Sequence, residues 1–265
     1  MTSYGDLVAV EKDRSGTVPI PHDYIGSVLY GEIGDVLYAS PDDGLSWEKV
    51  ADLFPGTSPL VRVIPTADNE VMVAGRYLVT KSAGWGTDTV TFTSKLDIRT
   101  GPNLFILPAC FDGYGANFIA THYSNTDRPE SRYVWISTDN GDTFSIVWDS
   151  DARFPDAANS HLHCVCFDRW TGDFYLSEGH VVPGAGIYVS GDAGSTWNIV
   201  PDGGLVGTSA PTSCTACETG LVFGSDNTND GVWVLPRGGT TIEYAWAWPP
   251  DLASLKGFAM QGSVD

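Results

Sequence analysis

Four histidines, two arginines and one glutamate in this sequence lie where a predicted strand begins or ends. Imidazole, guanidinium and carboxylate groups gathered at strand ends can bind a polar ligand, so we predict that these side chains form a binding pocket. The alternative is that they are ordinary rim residues and buried imidazoles with a packing role. The candidate ligand-binding residues are Arg62, Arg76, His122, His161, His163, Glu178 and His180.

Two of these histidines, His161 and His163, are separated by one residue. Because side chains along a strand alternate between its faces, both imidazoles point the same way. With Glu178 or His180 they could bind zinc, which prefers imidazole and carboxylate ligands. This spacing alone is a weak signal of metal binding, and we predict no metal site, no cofactor and no catalytic residue.

An eight-residue pattern, Ser-x-Asp-x-Gly-x-(Ser/Thr)-aromatic, occurs three times, each time directly after a short apolar strand. An Asp side chain can accept hydrogen bonds from backbone N–H groups just ahead of it, and Gly supplies a positive φ. Each copy therefore predicts a hairpin turn whose aromatic residue starts the return strand and packs into the core. The defining residues are Ser40, Asp42, Gly44 and Trp47; Ser137, Asp139, Gly141 and Phe144; and Ser190, Asp192, Gly194 and Trp197.

This pattern resembles the Asp-box, or BNR, motif of sialidase-like β-propellers. The resemblance implies an all-β fold, a β-propeller of four-stranded antiparallel blades, in which the boxes themselves are structural. Asp139 and Asp192 are 53 residues apart, and Asp42 and Asp139 are 97 residues apart, so a blade with a decayed box is expected between them. The five predicted blades are roughly 24–55, 56–103, 104–155, 156–205 and 206–250.

The two ends of the chain leave the ring closure open. A candidate strand at 7–10 precedes a proline-rich connection through Pro19 and Pro21, and another candidate strand covers 257–261. Either the termini pair to form a sixth, composite blade of a single domain over 1–265, or the sequence is part of a longer propeller. Closure leaves only short, protected strand edges, which favours the first interpretation.

Blades three and four also match outside their boxes. Cys110-Phe111-Asp112 aligns with Cys166-Phe167-Asp168, and Phe118 aligns with Phe174, both at an offset of 56 residues. In sialidase-like propellers, ligand sites lie on the face opposite the boxes, where the first strand of a blade begins and the second ends. The resemblance therefore implies that the candidate ligand-binding residues lie at the mouth of the central channel.

Composition excludes several classes of partner. The formal charge is −19, from 33 acidic and 14 basic residues, and such a field repels phosphate backbones and anionic membranes. We therefore predict no nucleic-acid partner. No apolar run reaches the length of a membrane span, so no membrane insertion is expected. The first residues lack the pattern of a signal peptide, and five cysteines do not suggest a disulfide framework.

Two functions follow from the resemblance. Sialidases carry an arginine triad and an Arg-Ile-Pro motif; here Arg62-Val63-Ile64-Pro65 has an extra residue, and Arg153, Arg169 and Arg237 fall in predicted turns or linkers.

The segment 161–180 resembles propellers of bacteriophage minor tail proteins. This second resemblance implies a non-catalytic structural or binding protein of the virion. Its expected partners are other tail proteins or a host-surface glycan, and the chain could also form homo-oligomers. The alternative is a glycoside hydrolase on the same fold.

Overall fold

The computed structural model describes residues 18–98, 104–124, 132–155, 161–179, 185–201, 211–225 and 231–247. Within these ranges the chain forms five antiparallel sheets of four strands, each following the order of the sequence. Each sheet corresponds to one predicted blade, so the all-β propeller prediction is confirmed. The predicted terminal strands at 7–10 and 257–261 lie outside the described residues, as does any sixth blade.

The strands of the five blades are bounded as follows. Blade 1 contains β1 (Ile20–Ile25), β2 (Val28–Ile33), β3 (Val36–Ser40) and β4 (Glu48–Asp52). Blade 2 contains β5 (Leu60–Pro65), β6 (Val71–Gly75), β7 (Leu78–Ala83) and β8 (Thr91–Asp97). A two-stranded sheet pairs β9 (Leu104–Phe105) with β12 (Tyr123–Ser124). Blade 3 contains β10 (Phe111–Tyr114), β11 (Asn117–Thr121), β13 (Tyr133–Ser137) and β14 (Ser145–Asp149).

The last two blades complete the described fold. Blade 4 contains β15 (His161–Asp168), β16 (Asp173–Gly179), β17 (Gly186–Ser190) and β18 (Asn198–Ile199). Blade 5 contains β19 (Pro211–Cys217), β20 (Gly220–Ser225), β21 (Gly231–Pro236) and β22 (Glu243–Ala247). A 3-10 turn (Pro108–Cys110) and a short helix, α1 (Ser150–Arg153), lie between strands. No helix in the described part of the chain is long and apolar enough to span a bilayer.

The first strand corrects the sequence interpretation. The segment around Pro19 and Pro21 was expected to be a connection, but β1 begins at Ile20 and includes Pro21. Proline lacks an N–H donor and is tolerated on an edge strand, whose N–H groups need not join a ladder. Because β1 pairs only with β2, it is an edge strand, and its register shifts between Pro21 and Asp23.

The hydrophobic core lies in layers between neighbouring blades. One layer joins blades 1 and 2, a second joins blades 2 and 3, a third joins blades 3 and 4, and a fourth joins blades 4 and 5. Strands with both faces covered read as continuous apolar runs, as in β6, where every residue is buried. Burying one large side chain such as Trp148 stabilises the fold by about 1.5–3 kcal/mol.

The strand order gives the molecule two ends with different loops. We call the end that carries the turns between first and second strands and between third and fourth strands the turn face. The other end carries the connections between second and third strands and between blades, and we call it the histidine face. The first strands β1, β5, β10, β15 and β19 are the inner strands, because residues of all five line one central cavity.

Candidate functional site

The three predicted box turns share one hydrogen-bond pattern on the turn face. In blade 1, Ser40 Oγ donates to Asp42 across 2.8 Å, and the Gly44 N–H donates to Ser40 Oγ across 2.7 Å. The N–H and Oγ of Ser46 both donate to the Asp42 carboxylate, at 2.8 and 2.6 Å. The same bonds recur around Asp139 and Asp192.

These hydrogen bonds hold the turn carboxylates ionised. Side-chain donation from Ser46 and from Thr196 lowers the pKa of Asp42 and of Asp192, respectively, below the usual range. Burial raises the pKa of Asp139, but the bonds from Thr143 and Ser137 outweigh it and lower that pKa to about 2. A carboxylate occupied in this way supports its own turn, which fits a structural role better than a catalytic one.

Two consecutive residues of each turn, not one, have positive φ. The glycines have φ of 90°, 77° and 85°, and the residues before them, Asp43, Asn140 and Ala193, have φ of 58°, 61° and 54°. The sequence pattern assigned positive φ to the glycine alone. The Asp and Asn tolerate this conformation at little cost, whereas Ala193 adopts it because the surrounding hydrogen bonds fix the turn.

Blade 2 stabilises its decayed turn with a carboxylate from another hairpin. Glu70 lies just before β6, and it accepts hydrogen bonds from Ser82 Oγ at 2.5 Å, Gly84 N–H at 2.9 Å and Trp85 N–H at 3.1 Å. Ser82 in turn accepts from the Val71 N–H at 2.9 Å. The sequence pattern missed Glu70, because the residue that replaces the Asp lies 12 positions before Ser82.

The histidine face brings together two of the candidate binding residues, while a third, His122, has other partners. The Nε2 atoms of His161 and His163 lie 3.1 Å apart, and the edge of the Tyr123 ring meets His161 with centroids 5.3 Å apart. His122 is buried beside Trp135, and its Nε2 accepts the Arg132 N–H across 3.2 Å. These imidazoles are packed among aromatic rings, so their accessible surface is small.

The remaining predicted site residues lie elsewhere. Glu178 lies opposite Leu162, the residue between the two histidines, at a register shift of the strand pair. Its carboxylate is fully buried and accepts the Trp148 Nε1–H across 3.1 Å. Arg76 is exposed just after β6, over the Tyr77 ring. His180 lies outside the described residues. Among the described residues, the candidates therefore do not form one cluster at this face.

Arg62 instead lies in the central cavity, which has a volume of about 210 Å³. Its Nε donates to Asp23 Oδ2 across 2.8 Å, and its Nη2 lies 3.8 Å from Asp112 Oδ1. The carboxylates are also held by the backbone, since Val63 N–H donates to Asp23 and Phe167 N–H donates to Asp112, both at 3.0 Å. This buried cluster links four neighbouring inner strands.

Burial and charge act against each other in this cluster. Burial lowers the pKa of Arg62, but the attraction of Asp23 and Asp112 outweighs it, and the net pKa is raised. Burial raises the pKa of Asp112, and the attraction of Arg62 only partly offsets this effect. The three groups thus form an ion cluster at the base of the cavity in which one guanidinium faces two carboxyl groups, and Arg62 keeps its charge.

Aromatic side chains surround the cavity on the turn face. Tyr24, Tyr114 and Trp170 all line it and are 43%, 52% and 38% exposed. The guanidinium of Arg169 lies over Tyr114 and Trp170, 5.3 and 4.4 Å from the ring centroids. Tyr24 Oη donates to Asp43 across 3.2 Å, which connects this rim to the first box turn. We call Tyr24, Tyr114 and Trp170 the aromatic rim.

The register of blades 3 and 4 corrects the predicted match of their inner strands. Phe118 lies opposite Gly113, whereas Phe174 lies opposite Phe167, so the turn of blade 4 is longer than that of blade 3. Asp112 consequently reaches the cavity, while Asp168 lies at the start of the longer turn. There the buried Asp168 pairs with Arg237 and accepts the Trp170 N–H at 3.0 Å.

No protein-family model and no curated protein matches this chain. Solved structures do match. An ancestral GH74 enzyme shares 17% identity over 86% of this chain and 31% of its own, with a TM-score of 0.56. The chain has a β-propeller fold. A GH74 xyloglucanase from Xanthomonas campestris (15% identity, 88% and 38% covered, TM-score 0.53) and a streptogramin B lyase (10%, 90% and 71%, TM-score 0.51) are also similar.

These similarities concern the fold alone. The chain spans about a third of the length of the two GH74 structures. In the part of the chain that the structure describes, no group of three or more His, Cys, Asp or Glu side chains could hold a metal ion. The central cavity combines charged groups at its base with aromatic rings at its rim, and we take it as the candidate binding site.

Proposed function

We propose that this chain is a non-catalytic binding propeller of a phage virion, a minor tail protein that contacts a host-surface glycan or neighbouring tail subunits. The propeller fold and the resemblance of the segment 161–180 to phage tail propellers support this role. The strongly acidic composition supports a partner that is neither nucleic acid nor an anionic membrane.

The non-catalytic part of the proposal rests on the carboxylates of the candidate site, which already have hydrogen-bond or ion-pair partners. A glycosidase uses two carboxyl groups, roughly 5–10 Å apart, that can reach the scissile bond. In the cavity, Asp23 and Asp112 both face Arg62 and accept backbone N–H groups. On the histidine face, Glu178 is buried against Trp148. Carboxylates committed to such bonds support a scaffold role.

The alternative is a glycoside hydrolase. The similarity to GH74 structures supports it only at the level of fold, since identity is 17% and 15%. One specific observation also favours it, because burial raises the pKa of Asp112 while Asp23 lies across Arg62 from it. Two carboxyl groups with different environments are the usual basis of an acid and base pair.

Two experiments test the proposal. An antibody against the purified chain, used with gold labelling in electron microscopy, should mark the tails of phage particles whose genome encodes it. Purified chain should bind glycans from host cell surfaces without releasing cleaved sugars. Particles without label would exclude the virion role, and release of sugar products that depends on Asp112 would favour the hydrolase.

A further inference from the structure

We propose that the central cavity on the turn face binds one uncharged sugar residue at the end of a glycan. This inference rests on the proposed glycan-binding function and assigns it a site and a ligand class. The site lies on the face opposite the one that the sialidase resemblance implies. Its components are the aromatic rim, the cavity walls and the ion cluster of Arg62, Asp23 and Asp112.

The volume of the cavity sets the size of the ligand. Pockets for drug-sized molecules measure about 300–1,000 Å³, and this cavity measures about 210 Å³. A single sugar ring fits this scale, whereas an extended oligosaccharide does not. Because residues from the inner strands of all five blades line the cavity, a glycan would place one end among them and leave the rest of the chain outside.

The aromatic rim supplies the apolar surface that a sugar ring requires. One face of a pyranose carries C–H groups that pack against aromatic rings, while its hydroxyl groups need polar partners. Tyr24, Tyr114 and Trp170 come from three different blades and stand around one opening, each more than a third exposed. Aromatic side chains with a polar tip are well suited to such mixed surfaces. The Arg169 guanidinium lies over Tyr114 and Trp170, so a sugar ring would pack against the surface that these rings still expose.

The ion cluster at the base determines the charge of the ligand. Arg62 is already shared by Asp23 and Asp112, so an acidic sugar would compete with two carboxylates for one guanidinium. Like charges brought close in a buried site repel strongly. Hydroxyl groups meet no such penalty, because they can donate to carboxylate oxygens and accept from guanidinium N–H groups. At the base of the cavity the cluster thus favours hydroxyl groups over the carboxylate of a sialic or uronic acid. The Arg169 guanidinium lies at the rim, stacked on Tyr114 and Trp170, and not at the base.

The test compares rim variants with a matched control. Trp170→Ala and Tyr114→Ala remove rings from two different blades, and Tyr244→Ala removes a tyrosine of similar exposure (48%) on the outer strand of blade 5, away from the cavity. Binding is measured on a panel of oligosaccharides ending in glucose, galactose, mannose, N-acetylglucosamine or sialic acid. Thermal unfolding of each variant checks that the fold is retained.

The inference predicts that the unmodified chain binds one or more neutral termini. Each rim variant should weaken that binding by at least about tenfold, as expected for an aromatic anchor, and Tyr244→Ala should leave it within about twofold. Neutral-glycan binding that both rim variants retain would overturn the cavity assignment and leave the proposed function intact. Binding only to sialylated termini would overturn the ligand class. Binding to no glycan would overturn the glycan-binding function and this inference with it.

Discussion

Arg62 in the inner strand of blade 2 donates a hydrogen bond to Asp23 in the inner strand of blade 1 across 2.8 Å, with both side chains almost entirely buried. Asp112 of blade 3 approaches the same guanidinium at 3.8 Å. The relationship joins residues 39 positions apart and places a charge cluster between the inner strands of blades 1, 2 and 3. Its consequences can be tested separately from the question of ligand.

Removal of Arg62 should destabilise the fold strongly. In Arg62→Met, Asp23 and Asp112 are left buried without a cation, and breaking a buried pair in this way costs about 3–5 kcal/mol. Urea unfolding measures the change. The control is Lys49→Met, which breaks an exposed pair with Asp52 and should cost less than about 1 kcal/mol. Equal losses in the two variants would contradict the central role of the cluster.

The box-turn carboxylates should make stability depend on acid pH. The pKa of Asp139 is lowered to about 2 from 3.8, so the unfolded chain binds protons more readily than the folded one. Its contribution is present above about pH 4 and is lost as pH falls toward 2. The urea midpoint of Asp139→Asn should lie below that of the unmodified chain at pH 7, and the gap should close near pH 2. A gap that is independent of pH would contradict the assignment.

One box-turn glycine should be needed for contact between blades as well as for the turn. A Cβ at Gly194 would stand 2.5 Å from Val147 Cβ of blade 3, a β-branched side chain with little freedom to move aside. Gly238 has a similar φ, 75° against 85°, and open space around it. Gly194→Ala should therefore destabilise the chain by about 1–3 kcal/mol more than Gly238→Ala. Thermal or urea unfolding measures both, and similar losses would show that φ alone matters.

Glu70 should hold the turn of blade 2. In Glu70→Ala, the N–H groups of Gly84 and Trp85 lose their acceptor, and each lost bond costs about 0.5–1.5 kcal/mol. Hydrogen exchange should accelerate at these two amides and leave the turn around Asp139 unchanged. Glu48→Ala, on the exposed side of β4, serves as the control. Unchanged exchange at both amides would contradict the role of Glu70 as the carboxylate that holds this turn.

The sequence predicted the fold because the repeated information is local. Ser40, Asp42 and Gly44 act on one turn, and three copies at regular spacing define the blades without knowledge of distant contacts. β1 was missed because proline is rare in strands, and Pro21 is tolerated here because β1 is an edge strand. Glu70 was missed because its partners lie in another hairpin.

The candidate site could be predicted less well, because it depends on register across blades. The offset of 56 residues equated Asp112 with Asp168, yet a longer turn in blade 4 separates them. Glu178 was grouped with His161 on the basis of strand ends, but a register shift lies beside it and its carboxylate accepts the Trp148 Nε1–H. Long-range geometry of this kind, including the three rings around the cavity, leaves no signature in a single sequence.

The central claim is that this propeller binds a glycan without cleaving it. The most direct measurement incubates the purified chain with neutral and sialylated oligosaccharides and follows bound ligand and released sugar together by mass spectrometry. We predict bound neutral glycan and intact oligosaccharide after prolonged incubation. Released sugar that disappears in both Asp112→Asn and Asp23→Asn, with the fold retained, would contradict the claim and identify the chain as a hydrolase.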